Sequence, residues 1–154
     1  MLTVSRTSLE EIVTRALERM TFTVVEPGEA AVADAVARAA SHAVIELRGP
    51  RSYFVTVSAS AGMVREVASG MLGCEPKDVD PKRHGEAVVT ELSNVFGGEL
   101  VIQMSTERDG LRIGLPQSAA PPEAQERCAF AERAGLAAVF VAGVSELVVS
   151  VARG

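Results

Sequence analysis

Leu9, Ile12, Val13, Ala16, Leu17 and Met20 recur at intervals of three and four, the period that lines one face of an α-helix. Ser8 followed by Glu11 has the form of a capping box at the start of that helix. Residues 21–25 are β-branched or aromatic and run into Pro27-Gly28, which predicts a short strand. Residues 29–42 are rich in alanine but carry no firm cap, so helix and irregular structure both remain open there. Residues 43–48 and 53–57 read as two strands of a hairpin joined by Gly49-Pro50-Arg51-Ser52.

Ser58 and Ser60 are candidate N-caps for a second helix marked by Met63, Val64, Val67, Met71 and Leu72, which stops at Gly73. Residues 75–81, polar and holding two prolines, read as a linker. A third helix is predicted from about Arg83 past Gly97-Gly98. Residues 110–115 alternate as a half-buried strand does, and 117–127, with Pro121-Pro122, read as a loop. A last hairpin, 137–141 and 146–151, turns at Gly143-Val144-Ser145. The sum is an α+β fold, a mostly antiparallel sheet with long helices packed on it. The strand–strand–helix order occurs in both halves in related form.

Composition narrows the partners. The chain has 154 residues, 47% apolar and 23% charged, enough for one ordinary domain with a core of its own. Its net charge is −5, and Lys82-Arg83 is the one adjacent basic pair. Neither nucleic acid nor an anionic membrane is expected as a partner, because both recruit clustered cations. Met1-Leu2-Thr3 passes into a charged helical pattern, and no apolar run reaches the length of a membrane span. Cys74 and Cys128 make no disulfide framework and read as free thiols. The expected location is the cytoplasm.

Common catalytic constellations are missing. His42 and His84 each lack a second ligand at metal spacing, and no phosphate-binding glycine loop or nucleophile elbow occurs. The third helix is different. At 100° per residue, Val88, Val89, Leu92, Val95 and Phe96 share one face, while Ala87, Thr90, Glu91, Asn94 and Gly98 fall on the other. Glu91 and Asn94 are three apart and so point the same way. Two solvated polar residues on an outer face would be ordinary, but Asn and a Gly-Gly pair are poor helix formers. Small residues beside the polar pair make a flat shelf that another protein can approach.

Residues 86–100, with Glu91-Leu92-Ser93-Asn94 and Gly98 four positions on, resemble the signature helix of the CheX/CheC/FliY phosphatases of bacterial chemotaxis. The Leu47-Arg48-Gly49 turn, the helix ending Gly70-Met71-Leu72-Gly73 and the strand at 110–116 follow in the expected order. One such motif, rather than two, resembles the CheX type. The helix of the first half read as its counterpart offers Glu66-Val67-Ala68-Ser69, without an Asn. Ala87 stands where the family often has Asp or Ser, and Val95 where it often has Met or Ile.

The resemblance implies a single CheX-like domain over residues 1–154 and hydrolysis of the aspartyl-phosphate of a CheY-like receiver. Glu91 would pair with the receiver's active-site lysine, and Asn94 would orient the attacking water. It implies no cofactor of the chain's own, Mg²⁺ arriving with the phosphorylated receiver. The alternative is a CheX-like adaptor that docks a receiver or switch complex without turnover. A homodimer is expected from the resemblance, and from the closing hairpin, which leaves β-branched, apolar edge strands such as 146–151 with little Lys or Pro to block further pairing.

Overall fold

The computed structural model describes residues 4–105 and 110–154; the reading of Met1-Leu2-Thr3 lies outside them. Among the described residues the order is α1 (Arg6–Thr21), β1 (Glu26–Pro27), α2 (Val32–Arg38), β2 (Ser41–Arg48), β3 (Tyr53–Ala59) and α3 (Ala61–Leu72). A 3₁₀ turn at Pro76–Asp78 then leads to α4 (Pro81–Met104), β4 (Arg112–Ile113), β5 (Gln117–Ser118), α5 (Pro121–Ala134), β6 (Leu136–Ala142) and β7 (Ser145–Arg153). The strands form one sheet in the order β1-β6-β7-β3-β2-β4, with β5 also on β2, and every pairing is antiparallel. This is the α+β architecture the sequence pattern predicts.

Strand alternation gives the sheet two apolar faces. Ile45, Leu47, Val55, Val57, Phe140, Leu147 and Val149 meet the stripes of α1, α3 and α4. Ala137, Val139, Val148 and Ala152 meet α2 and α5 on the other side. No helix among the described residues is long and apolar enough to cross a membrane.

Several boundaries differ from expectation, each for a local reason. Ser5, not Ser8, caps α1, its Oγ accepting from the Ser8 amide at 3.1 Å. Residues 21–25 form no strand. Thr21 stays helical, its hydroxyl donating to the Leu17 carbonyl at 2.9 Å, and Phe22 ends the helix in the left-handed region at φ 58°. Pairing starts only at Glu26–Pro27, against Phe140 and Val141. Asp80 accepts from the Lys82 amide and starts α4 at Pro81, so the expected linker ends as a helix cap.

Residues 110–115 yield only the two-residue strand Arg112–Ile113; Leu111 before it is buried, while Ile113 and Leu115 are exposed. The expected loop at 117–127 is largely α5. Its two prolines occupy the first turn, where a missing N–H loses no helical partner, and Ala124, Cys128 and Ala131 make a small buried stripe.

The last hairpin forms as expected, but β7 is interior, paired with β6 on one side and β3 on the other. Residues 146–151 are therefore no edge, and contrary to expectation they offer a second chain no open strand to pair with. The internal repetition is also of a different kind. Helix, short strand, helix and hairpin occur twice, as α1-β1-α2-β2-β3 and as α4-β5-α5-β6-β7. The halves exchange strands: β1 lies on β6 and β5 on β2, while β3 and β7 meet at the centre. The counterpart of α4 is thus α1, not the helix holding Glu66–Ser69.

His42 is buried on β2, its Nδ1 2.7 Å from the Ser58 hydroxyl, and burial lowers its pKa below 6.5. Between that depressed value and 6.5 the unfolded chain takes up the proton more readily than the folded one. Stability contributed by neutral His42 is therefore lost as pH falls below 6.5. Denaturant midpoints across pH 7 to 5 should drop for the wild type and drop less for His42→Asn.

Candidate functional site on helix α4

The 24-residue α4 starts at Asp80-Pro81 and lies across β2 and β3. Val88, Val89, Leu92, Phe96 and Leu100 are buried against the sheet and α3, and Val95 is half-buried at the flank. That burial fixes the rotation of the helix. Ala87, Glu91 and Asn94 consequently face solvent, with Thr90 and Gly98 partly exposed beside them.

The polar residues differ in what they already hold. Thr90 donates to the carbonyls of Glu86 (2.8 Å) and Ala87 (3.1 Å), and the buried Ser93 donates to Thr90 at 2.8 Å. Those hydroxyls are satisfied inside the helix. Among the described residues, neither the Glu91 carboxylate nor the Asn94 amide has a side-chain hydrogen bond or an ion pair. Both expected site residues are therefore neighbours on the helix, solvent-facing and, among the described residues, without a side-chain partner.

The two glycines separate cleanly. A Cβ on Gly97 would lie 3.2 Å from Ile45 Cγ2 and 3.4 Å from both Ile113 and Leu47, so this glycine lets α4 sit close to the sheet. A Cβ on Gly98 would meet nothing within 4 Å. Gly98 leaves bare backbone one turn beyond Asn94, and Ile102, one turn further, is 74% exposed.

Flanking the site, α1 lies beside α4. Arg15 and Arg19 line a notch between the helices with Val95 and Glu99, the sequence neighbours of Asn94 and Gly98. The sequence offers no signal for this, because helix proximity is a tertiary fact. On its outer face α1 carries Glu10, Glu11, Thr14, Arg15 and Glu18, and no Asn. The motif therefore occurs on one of the two equivalent helices.

Other candidate chemistry lies elsewhere. His84 sits over the start of α4, its Nδ1 3.1 Å from the Asp80 carbonyl, and His42 belongs to the sheet. Both cysteines are free; Cys128 is buried, which pushes its thiol pKa up and keeps it unreactive. Among the described residues no three metal-ligating side chains come together.

No family model and no curated protein matches the chain. Solved structures do. The chemotaxis protein CheX from Vibrio vulnificus aligns over 100% of this chain and 99% of its own, with a TM-score of 0.72 at 12% identity. A CheC-like superfamily protein from Shewanella sp. PV-4 covers 95% of this chain and 94% of its own, with a TM-score of 0.68 at 15% identity. The CheX–CheY–BeF₃–Mg²⁺ complex from Borrelia burgdorferi covers 94% of both chains, with a TM-score of 0.65 at 15% identity. The chain has the fold of CheX and CheC-like chemotaxis proteins along nearly its whole length.

The different surroundings of the two glycines predict opposite stabilities. Gly97→Val should destabilise the protein by about 1–3 kcal/mol, because the branched side chain has to push Ile45 or Leu47 away. Gly98→Ala should stabilise it by up to about 1 kcal/mol through helix propensity alone. Denaturant titration of the two variants measures both.

Proposed function

We propose that the chain is a CheX-type phosphatase that hydrolyses the aspartyl-phosphate of a CheY-like receiver domain. The observation that carries this reading is the pairing of Glu91 and Asn94 on the exposed outer face of a helix packed firmly in a CheX-like fold, neither of them engaged by another side chain among the described residues. A neighbour of that fold described in complex with CheY, BeF₃ and Mg²⁺ supports a receiver as the partner.

In this reading α4 lies over the receiver's phosphorylation site. Glu91 forms a charge-assisted contact with the receiver's lysine and holds the helix in register. The Asn94 amide orients a water for in-line attack on phosphorus. The bond to the aspartyl oxygen breaks, leaving a free carboxylate and inorganic phosphate. An acyl phosphate is already reactive, so placing the water suffices, and a neutral amide can do that. The receiver's own Mg²⁺ and lysine stabilise the charge that develops. Gly98 is suited to close approach by the partner, since nothing rises from the backbone there. The protein acts in the cytoplasm, where phosphorylated receivers are found.

Separate roles give separable mutant effects. Asn94→Ala should keep receiver binding and lose acceleration by about 10²-fold or more, the scale for removing a positioned group at a reacting centre. Glu91→Ala should weaken binding of a beryllofluoride-loaded receiver by about 2 kcal/mol or more, because the lysine is left unpaired. Neither side chain supports the fold, so thermal midpoints should stay close to wild type. An Asn94→Ala protein that dephosphorylates the receiver at the wild-type rate while folded would replace the phosphatase with the non-catalytic adaptor.

The resemblance to CheX-type proteins supports a homodimer. The sheet ends at the short strands β1 and β4, with β5 beside β4 on β2, so a partner would join at those ends or through helices, not along β7. Light scattering across micromolar concentrations should give twice the chain mass; a monomer mass throughout contradicts it.

A further inference from the structure

Between α1 and α4 lies a notch of about 60 Å³. Ile12, Met20 and Val95 form its apolar floor, and Arg15, Arg19 and Glu99 its charged rim. It is too small for a cofactor and suits the tip of one side chain. Both arginines are exposed, and among the described residues neither is held in an ion pair; Arg38, Arg48 and Arg127 are the ones engaged. Glu99 shares the notch without pairing to them. The notch runs along the flank of α4 that carries Val95 and Glu99, beside the exposed face that bears Glu91 and Asn94.

We infer that Arg15 and Arg19 are positioning residues that grip carboxylates at the rim of the partner's phosphorylated site and favour its phosphorylated form. The inference rests on reading α4 as the receiver-docking helix. Its basis is charge complementarity. A chain of net charge −5 repels an acidic partner at long range, yet a site that holds Mg²⁺ beside an aspartyl-phosphate is necessarily ringed with carboxylates. Two guanidiniums beside the docking helix, neither in an ion pair among the described residues, offset that repulsion where the surfaces meet. Phosphorylation adds negative charge at the partner's site, so the pair discriminates between the two forms without touching phosphorus. Arginine suits the task, since its planar fork matches a carboxylate in two hydrogen bonds.

The test is steady-state dephosphorylation of a receiver at several salt concentrations, with wild type, R15Q/R19Q and R15K/R19K, all checked for folding by thermal melts. The double Gln variant should raise KM about 10-fold, respond less to salt and leave kcat within a few-fold, as expected for exposed charges acting on docking. Its preference for a beryllofluoride-loaded over an unloaded receiver should shrink. The double Lys variant, which keeps the charges, should recover most of the KM. Equal KM and equal salt response in wild type and R15Q/R19Q overturn the inference.

A wild type that does not accelerate phosphate release removes the phosphatase reading instead. Affinity for the beryllofluoride-loaded receiver then decides this one: loss in R15Q/R19Q supports it, and unchanged affinity or no binding by wild type overturns it.

Discussion

The packing of α4 onto β2 and β3 determines what this protein can present to a partner. Val89, Leu92, Phe96 and Leu100 are fully buried in that contact, and Gly97 brings the helix backbone close to Ile45 and Leu47. With its apolar stripe committed, the helix has no freedom to roll. Asn94 and Glu91 are therefore held outward on a long, stiff element, as the proposed water-placing role requires. Placing the pair on a loop would surrender that placement to motion.

The second sheet face supports this arrangement indirectly. On that face α2 and α5 pack on Ala137, Val139, Val148 and Ala152 of β6 and β7, and α5 also reaches β2 and β3 behind α4. The interlocked halves add to it, because β1 and β5 each cross to the other half's hairpin. Although α1 and α4 are equivalents in this duplication, their outer faces differ. Glu91, Asn94 and Gly98 make a shelf on α4, whereas α1 carries a mixed row of charges and brings Arg15 and Arg19 to the edge of that shelf. One helix has the motif and the other frames it.

The outward placement of Glu91 and Asn94 was legible in the sequence because helical periodicity assigns them to the face opposite Val88, Val89 and Leu92. Strong β-branched runs likewise identify both long hairpins. Misplaced elements share a cause. In α5 the buried stripe is Ala124, Cys128 and Ala131, too small to register as a hydrophobic period, and Pro121-Pro122 mimics a break while sitting in the first turn. Leu111, Ile113 and Leu115 alternate without burying the last two, since the strand they predict is only two residues long. The central place of β7 and the α1–α4 notch depend on long-range pairing that no local pattern encodes.

The most direct test of the account is the phosphoryl lifetime of a CheY-like receiver mixed with a substoichiometric amount of the wild-type protein. Phosphate should be released in several turnovers per molecule, shortening the lifetime in proportion to the protein added. A lifetime that stays at the receiver's own value at every ratio, for receivers that bind the protein, would contradict the claim that the outer face of α4 is a catalytic surface.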